Sequence, residues 1–246
     1  DLSIIDSYGG SGGARGWALL NQDDIYEIGD EHFVFIGRTD AGFYGISHPI
    51  AINDDNWHHV AIKREGVVWS IIVDGIKNSA SFSDGSFANN VPLVFGIDAE
   101  AIGPDNPAIG YNGLMDNIGI WNRALSDEEI TSNMYDGVNY NSDDESLLGY
   151  WSFNDVVPPG NQLLDLSGNE NHGAIIGAEW SNDAPIPGCN DLAASNYTEG
   201  ANTTINCLYN QGPDWYVAVD GDDTYNDGSE VFPYATIQKA VDKAGE

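Results

Sequence analysis

The chain is 246 residues long, 41% hydrophobic and 11% aromatic, which is enough apolar material for a sizeable core and argues against wholesale disorder. Eight lysines and arginines face 39 aspartates and glutamates, a formal charge of −31 that repels phosphate backbones and anionic lipid, so nucleic acid is excluded as a partner. Such a surface suits a protein that stays soluble in salt or gathers divalent cations, and no apolar run approaches the roughly 18 residues of a membrane span.

The chain opens on DLSIIDSYGG, a strand-like run with neither a basic region nor a long apolar stretch, so it is not a signal peptide. It closes on KAVDKAGE, in the middle of a helical pattern. Both ends fit a piece of a longer polypeptide.

Residues 1 to about 122 alternate short β-like runs with Gly, Asn and Asp: GWALLN, HFVFIGRT, GFYGIS, WHHVAIKR, VVWSIIVDG, VPLVFGID and NGLMDNIGIWN. Frequent short strands with turn signals between them predict an all-β fold, an antiparallel jelly-roll β-sandwich. Val67, Trp69, Ile71 and Val73 take one face of the clearest strand, and Val68, Ser70, Ile72 and Asp74 take the other. Arg64-Glu65-Gly66 is the predicted turn before it, and Asp74-Gly75 the turn after it.

The stretch NDDNWHH, at 53–59, places two acids before two of the five histidines. On a strand, His58 and His59 point to opposite faces and cannot ligate one ion together. Trp57, His59 and Ala61 then share a face, and Trp57 and His59 read as packed scaffold positions.

One short helix interrupts the strands. Ser126 is a good N-cap, Glu129 completes a capping box, Leu125 and Ile130 are spaced as a hydrophobic staple, and Gly137 is a stop signal. Asp127 and Glu128 suit the positive end of the helix dipole. After it come LLGYWSFN, another strand, and LLDLSGNENHGAIIGAEW, rich in turn residues.

Composition shifts near Asn182, where DAPIPGC brings two prolines and the first of two cysteines, Cys189 and Cys207. With no CxxC and no Cys/His spacing, the pair reads as one disulfide across a short polar loop rather than a zinc site, which implies an oxidising compartment. From Asp214, WYVAVDG leads through an acidic loop to FPYATIQKAVDKAGE, an incipient helix in a small C-terminal extension.

Several of these runs carry a family resemblance. NWHHVAIKREGVVWSIIVDG resembles the central hairpin of laminin-G-like jelly-roll domains of the concanavalin A-like lectin/glucanase superfamily, in which W-x-H-V-A leads through a turn to a strand ending V-D-G. YNGLMDNIGIWNRALSDEEI resembles the later strand and helix of that family, and GYWSFN with DLSGNENHGAIIGAEW resembles the segment that commonly flanks such domains in secreted bacterial proteins. Together these imply a jelly roll over 1–181 that lacks the family's opening strand. GCNDLAASNYTEGANTTINC resembles a cysteine-closed repeat of secreted marine bacterial proteins, which implies a disulfide-closed linker over 182–211. WYVAVDGDDTYNDGSEVFPYATIQKAVDKA resembles the N-terminal cap of pectate-lyase-like right-handed β-helices, which implies a truncated cap over 212–246.

Glucanases of the superfamily place carboxylates on one strand as E-x-D-x-x-E, about 5 Å apart for a retaining mechanism. That motif is absent. Asp98 and Glu100 run straight into a Gly/Pro/Asn loop, and Asp127, Glu128 and Glu129 are helix-start residues, so no catalytic residue is assigned. Calcium takes carboxylate and carbonyl oxygens from loops, and jelly rolls of this type often hold it. Asp54, Asp55, Asp222 and Asp223 are the candidate ligands, with solvated acidic loops as the alternative; no EF-hand spacing occurs. Tyr44 and Tyr111, flanked by Gly and Asn, are candidate platforms for sugar rings, whereas Trp69 and Trp121 sit in apolar runs and read as core. Asn196 and Asn202 are glycosylation sequons by pattern, which matter only in a glycosylating host.

The expected function is a non-catalytic module of a large secreted or surface protein of a marine bacterium, binding a polysaccharide, a cell-surface glycan or a partner protein through rim loops. The alternatives are the targeting part of a polysaccharide lyase or hydrolase whose active site lies in the β-helix, and an adhesin spacer.

Overall fold

The computed structural model describes residues 2–7, 15–22, 32–51, 54–97, 111–139, 144–154, 161–189, 191–192, 194, 197–203, 207, 209–210, 212–224, 226–230 and 232–244. The strands are β1 (Leu2–Asp6), β2 (Gly16–Gln22), β3 (His32–Thr39), β4 (Gly42–Ala51), β5 (Val60–Glu65), β6 (Val68–Val73), β7 (Ile76–Ser81), β8 (Val94–Phe95), β9 (Ile118–Trp121), β10 (Leu147–Trp151), β11 (Gln162–Leu163) and β12 (Gly173–Ala174). The helices are α1 (Asp127–Asp136) and α2 (Ile237–Ala244). The chain forms two compact units: Asp1–Asp55 with His59–Asn182, and Asn56–His58 with Asp183–Glu246.

The first unit is an all-β jelly-roll sandwich. One antiparallel sheet has the order β4-β3-β2-β1-β8 and a second the order β5-β6-β7, with small β9-β10 and β11-β12 pairs beside them. Alternation builds the core. Leu19, Phe35 and Ile46 stand abreast on β2, β3 and β4, and they belong to the same cluster as Trp69, Ile71 and Val73 of β6. Burying an apolar side chain of this size contributes about 1.5–3 kcal/mol. Rings fill the centre: Trp69 packs edge-on to Phe35 and Phe82, and Phe87 lies 5.1 Å from it. Gly37 makes this possible, since a Cβ there would lie 2.8 Å from Trp69 and 2.6 Å from Phe87.

The hairpin β5-β6 turns at Gly66–Val67, one residue later than the predicted turn, with Gly66 at φ +61°. Val67 therefore leaves the strand and is exposed. The β6-β7 turn is Asp74-Gly75, with φ of +51° and +80°, as a type I′ turn requires. Ser70, Ile72 and Asp74, on the outer face of β6, are also buried. That face carries Lys63 of β5 and Lys77 of β7, and both ammonium groups pair with Asp127 at the start of α1. The helix thus lies against the sheet rather than free on the surface, and its buried Ile130 faces inward.

Two side-chain bonds join the sheets where their end strands meet. His48 of β4 donates from Nε2 to the Ile76 carbonyl at 2.9 Å, and Asn78 of β7 donates to the Ser47 carbonyl at 2.7 Å.

The second unit is held by different means. Cys189 and Cys207 form a disulfide, as the isolated pair led one to expect. Val217 and Tyr234 form a parallel bridge, and Trp215 stacks on Tyr234 with ring centroids 6.1 Å apart. Gly228 leaves room for both rings. Tyr234 is followed by α2, the helix that FPYATIQKA leads one to expect.

Candidate functional site

The NDDNWHH stretch divides. Asp54 and Asp55 are exposed, and Asp55 adopts φ +61°. His58 and His59 do not lie on a strand, because β5 starts at Val60. Backbone partners before β5 explain this. Trp57 donates its amide to the Asn202 carbonyl, bridges Thr203, and donates from Nε1 to Asp183 at 3.3 Å. His59 donates its amide to the Asp74 carboxylate at 2.9 Å and accepts the Asp74 amide on its carbonyl at 2.9 Å. The core-facing residues of β5 are Val60 and Ile62, so Trp57 is not a core residue of the sandwich. Burial lowers the pKa of His59 against the opposing pull of Asp74, and its Nδ1 is buried without a hydrogen-bond partner.

The two tyrosine platforms are turned inward. Tyr44 stacks on Phe82 at 5.1 Å, meets Trp69 edge-on at 5.9 Å, and donates its hydroxyl to the Ala41 carbonyl. Tyr111 also packs on the core, and burial raises its pKa. Both rings are half-buried, packed on one side against the core. Alternation carries the missed signal: Tyr44, Ile46, His48 and Ile50 share a parity, so Ile46 in the core brings Tyr44 with it.

Asp222 accepts the Thr224 amide at 2.6 Å. Asp223 accepts both the amide and the hydroxyl of Thr236, whose oxygen in turn accepts the Lys239 amide at the start of α2. Asp223 therefore seats a helix cap, and these bonds lower its pKa. Asp54 and Asp55 belong to the first unit, and Asp222 and Asp223 to the second. Among the described residues, no three His, Cys, Asp or Glu side chains converge in a way that would hold a metal ion.

The acids around α1 are committed. The capping box forms as expected: Ser126 accepts the Glu129 amide, and Glu129 accepts the Ser126 amide. Arg123 holds Glu129 bidentately and also donates to Asp144 and Ser146. Hydrogen bonds from Arg123, then from the Ser126 amide, bring the Glu129 carboxyl down to about 2. Asp127 is lowered by Lys77 and Lys63. A shallow, open depression beside these groups is lined by Lys63, Glu65, Arg123, Ser126 and Glu128.

Two further carboxylates organise loops. Asp165, buried under β10, accepts the amides of Tyr150, Ser167 and Asn171 and the hydroxyl of Ser167. Burial raises its pKa, but these donors outweigh it and the net shift is downward. Its own amide donates to His172. Asp227, buried in the second unit, accepts the amides of Asn210 and Ser229. Asn202, one of the two sequons, accepts the Ile186 amide on its side-chain oxygen and donates from Nδ2 to the Ala184 carbonyl. Asn196, Asp98, Glu100 and Asn53 lie outside the described residues.

The chain matches the Concanavalin A-like lectin/glucanases superfamily over residues 3–131, just over half its length. Among solved structures, an S-layer domain-containing protein (residues 221–444) from Clostridium thermocellum is similar at 19% identity and a TM-score of 0.29. That match covers 53% of this chain and 61% of the other, so the chain spans less than two thirds of that structure. No curated protein sequence matches. On the match over residues 3–131, the chain belongs to the laminin-G-like family of the Concanavalin A-like lectin/glucanases superfamily.

Proposed function

We propose that the chain is a non-catalytic binding module of a large extracellular protein, engaging a polysaccharide, a cell-surface glycan or a partner protein through loops at the sandwich rim. One observation carries this reading: within a lectin/glucanase fold, the acids at the start of α1 and beside β10 are already engaged. Asp127 is paired with Lys63 and Lys77, Glu129 with Arg123, and Asp165 with four N–H and O–H donors. A glycosidase needs one carboxylate free to attack and one free to carry a proton. Placement outside the cell is supported by the Cys189–Cys207 disulfide. Calcium enters only as a condition of the test, because the described acids do not converge.

We read 182–211 as a disulfide-closed linker and 212–246 as the start of a right-handed β-helix. The parallel bridge Val217–Tyr234, followed directly by α2, supports the second assignment. It also favours one further reading of the whole protein, in which this module targets a lyase or hydrolase whose chemistry lies in the β-helix.

The test is a glycan array probed with the purified 246-residue chain, once with calcium and once with chelator. Saturable binding to a defined set of polysaccharides is the expected result. No binding above background to any glycan would leave the spacer reading in its place.

A further inference from the structure

The seam between the sheets depends on a histidine whose two ring nitrogens are both committed. β4 ends the larger sheet and β7 ends the smaller one. The His48 ring, fully buried, crosses between them: Nε2 bonds the Ile76 carbonyl at 2.9 Å, and Nδ1 accepts the Ile50 amide at 3.2 Å. A carbonyl only accepts and an amide N–H only donates, so these partners fix the neutral ring with its proton on Nε2. Among side-chain bonds, only Asn78 to Ser47 is seen to support the same seam among the described residues.

We propose that His48 is an acid-sensitive latch, holding edge strand β4 to edge strand β7 at neutral pH and releasing the seam in mild acid. Protonation of Nδ1 would set its new N–H against the Ile50 N–H, and would place a full charge where no water reaches it. Swinging the ring toward solvent relieves both penalties and breaks the bond to Ile76. Two titratable groups act on the ring from neighbouring elements. Asp74, at the β6-β7 turn, favours the protonated ring, and His32 on β3 opposes it. Burial is the largest influence and lowers the pKa, with the Ile76 carbonyl pulling the other way.

The sign follows from linkage. A histidine whose folded pKa is depressed contributes its full stability above the unfolded value near 6.5 and loses it as pH falls toward the folded value. Inside that window, one uncompensated proton shifts the opening equilibrium by up to about tenfold per pH unit. His59 is depressed too, so the wild-type protein and a His48 variant share part of the response, and the difference between them isolates the latch.

The experiment is hydrogen exchange of the full chain at pH 7.5 and 5.5, corrected for intrinsic rates, comparing 42–51 and 76–81 with 16–22. The expected result is a loss of protection approaching tenfold or more in the two seam strands, with 16–22 little changed, and a markedly smaller loss in His48→Gln. Unchanged seam protection, or the same loss in His48→Gln, would overturn the proposal. Should His48→Gln fail to fold, NMR titration of the wild-type imidazole decides: protonation at or above pH 6.5 with the seam intact would overturn it, and a ring that stays neutral until the seam opens supports it.

Discussion

Arg123 grips Glu129 through two bonds of 2.7 and 2.8 Å while the same carboxylate accepts the Ser126 amide at 2.7 Å, so one acid closes both an ion pair and a helix cap. A third bond ties Arg123 to Asp144, which leads into β10. The guanidinium thus joins the end of β9, the start of α1 and the approach to β10.

This arrangement fixes an acid limit. The Glu129 carboxyl lies at about 2 against an ordinary 4.5, so its contribution is complete above 4.5 and is lost as pH falls from there toward 2. Arg123→Lys keeps the charge but loses the two-pronged geometry. Urea denaturation between pH 2 and 6 is expected to show the variant losing stability at higher pH than the wild type. Overlapping curves would mean that the fork does not set the limit.

Gly37 is expected to resist even the smallest side chain. Its Cβ would meet the Phe87 and Trp69 rings at 2.6 and 2.8 Å, and overpacking of this kind costs about 1–3 kcal/mol. Gly37→Ala should fall in that range by chemical denaturation. Phe87→Leu, which removes the nearer ring, should make the second substitution less costly than it is alone. Strict additivity would show that the rings give way without strain.

Asp165 is expected to be a hub that only a carboxylate serves. Asp165→Asn exchanges an acceptor oxygen for an NH2 that faces donors, and each buried donor left unpaired costs about 1–3 kcal/mol. The loss should appear as lower stability and as faster exchange of the Tyr150 amide, which bonds Asp165 at 2.9 Å. An Asn variant as stable as the wild type would show that the loop is held by something else.

What was legible in the sequence was local or periodic. The cap Ser126-x-x-Glu129 is complete within four residues, and the alternation of Trp69, Ile71 and Val73 reports a buried face directly. The strand HFVFIGRT appears with the bounds of the run itself. What failed depends on distant partners. His59 looks like a strand residue until Asp74, fifteen positions on, takes its amide. Asp165 looks like any acid of a turn-rich segment, because its defining donor, the Tyr150 amide, lies across a gap of the same length. Tyr44 looked exposed because glycine neighbours suggest a loop, yet its parity with Ile46 pointed inward.

The disulfide gives the sharpest test of how the chain divides. Cys189 and Cys207 are 18 positions apart in the second unit, and closing a loop of that length contributes about 3 kcal/mol through the unfolded state. Reduction is expected to lower the stability of residues 183–246 by about that amount. The sandwich core around Trp69 contains no cysteine and should not respond. Hydrogen exchange with and without reductant separates the two, because β2, β3 and β6 report on the sandwich and α2 on the second unit. Faster exchange confined to 183–246 would fit two units with separate stabilities. If the core strands lost protection equally, the units would unfold as one and the division near Asn182 would have no thermodynamic meaning.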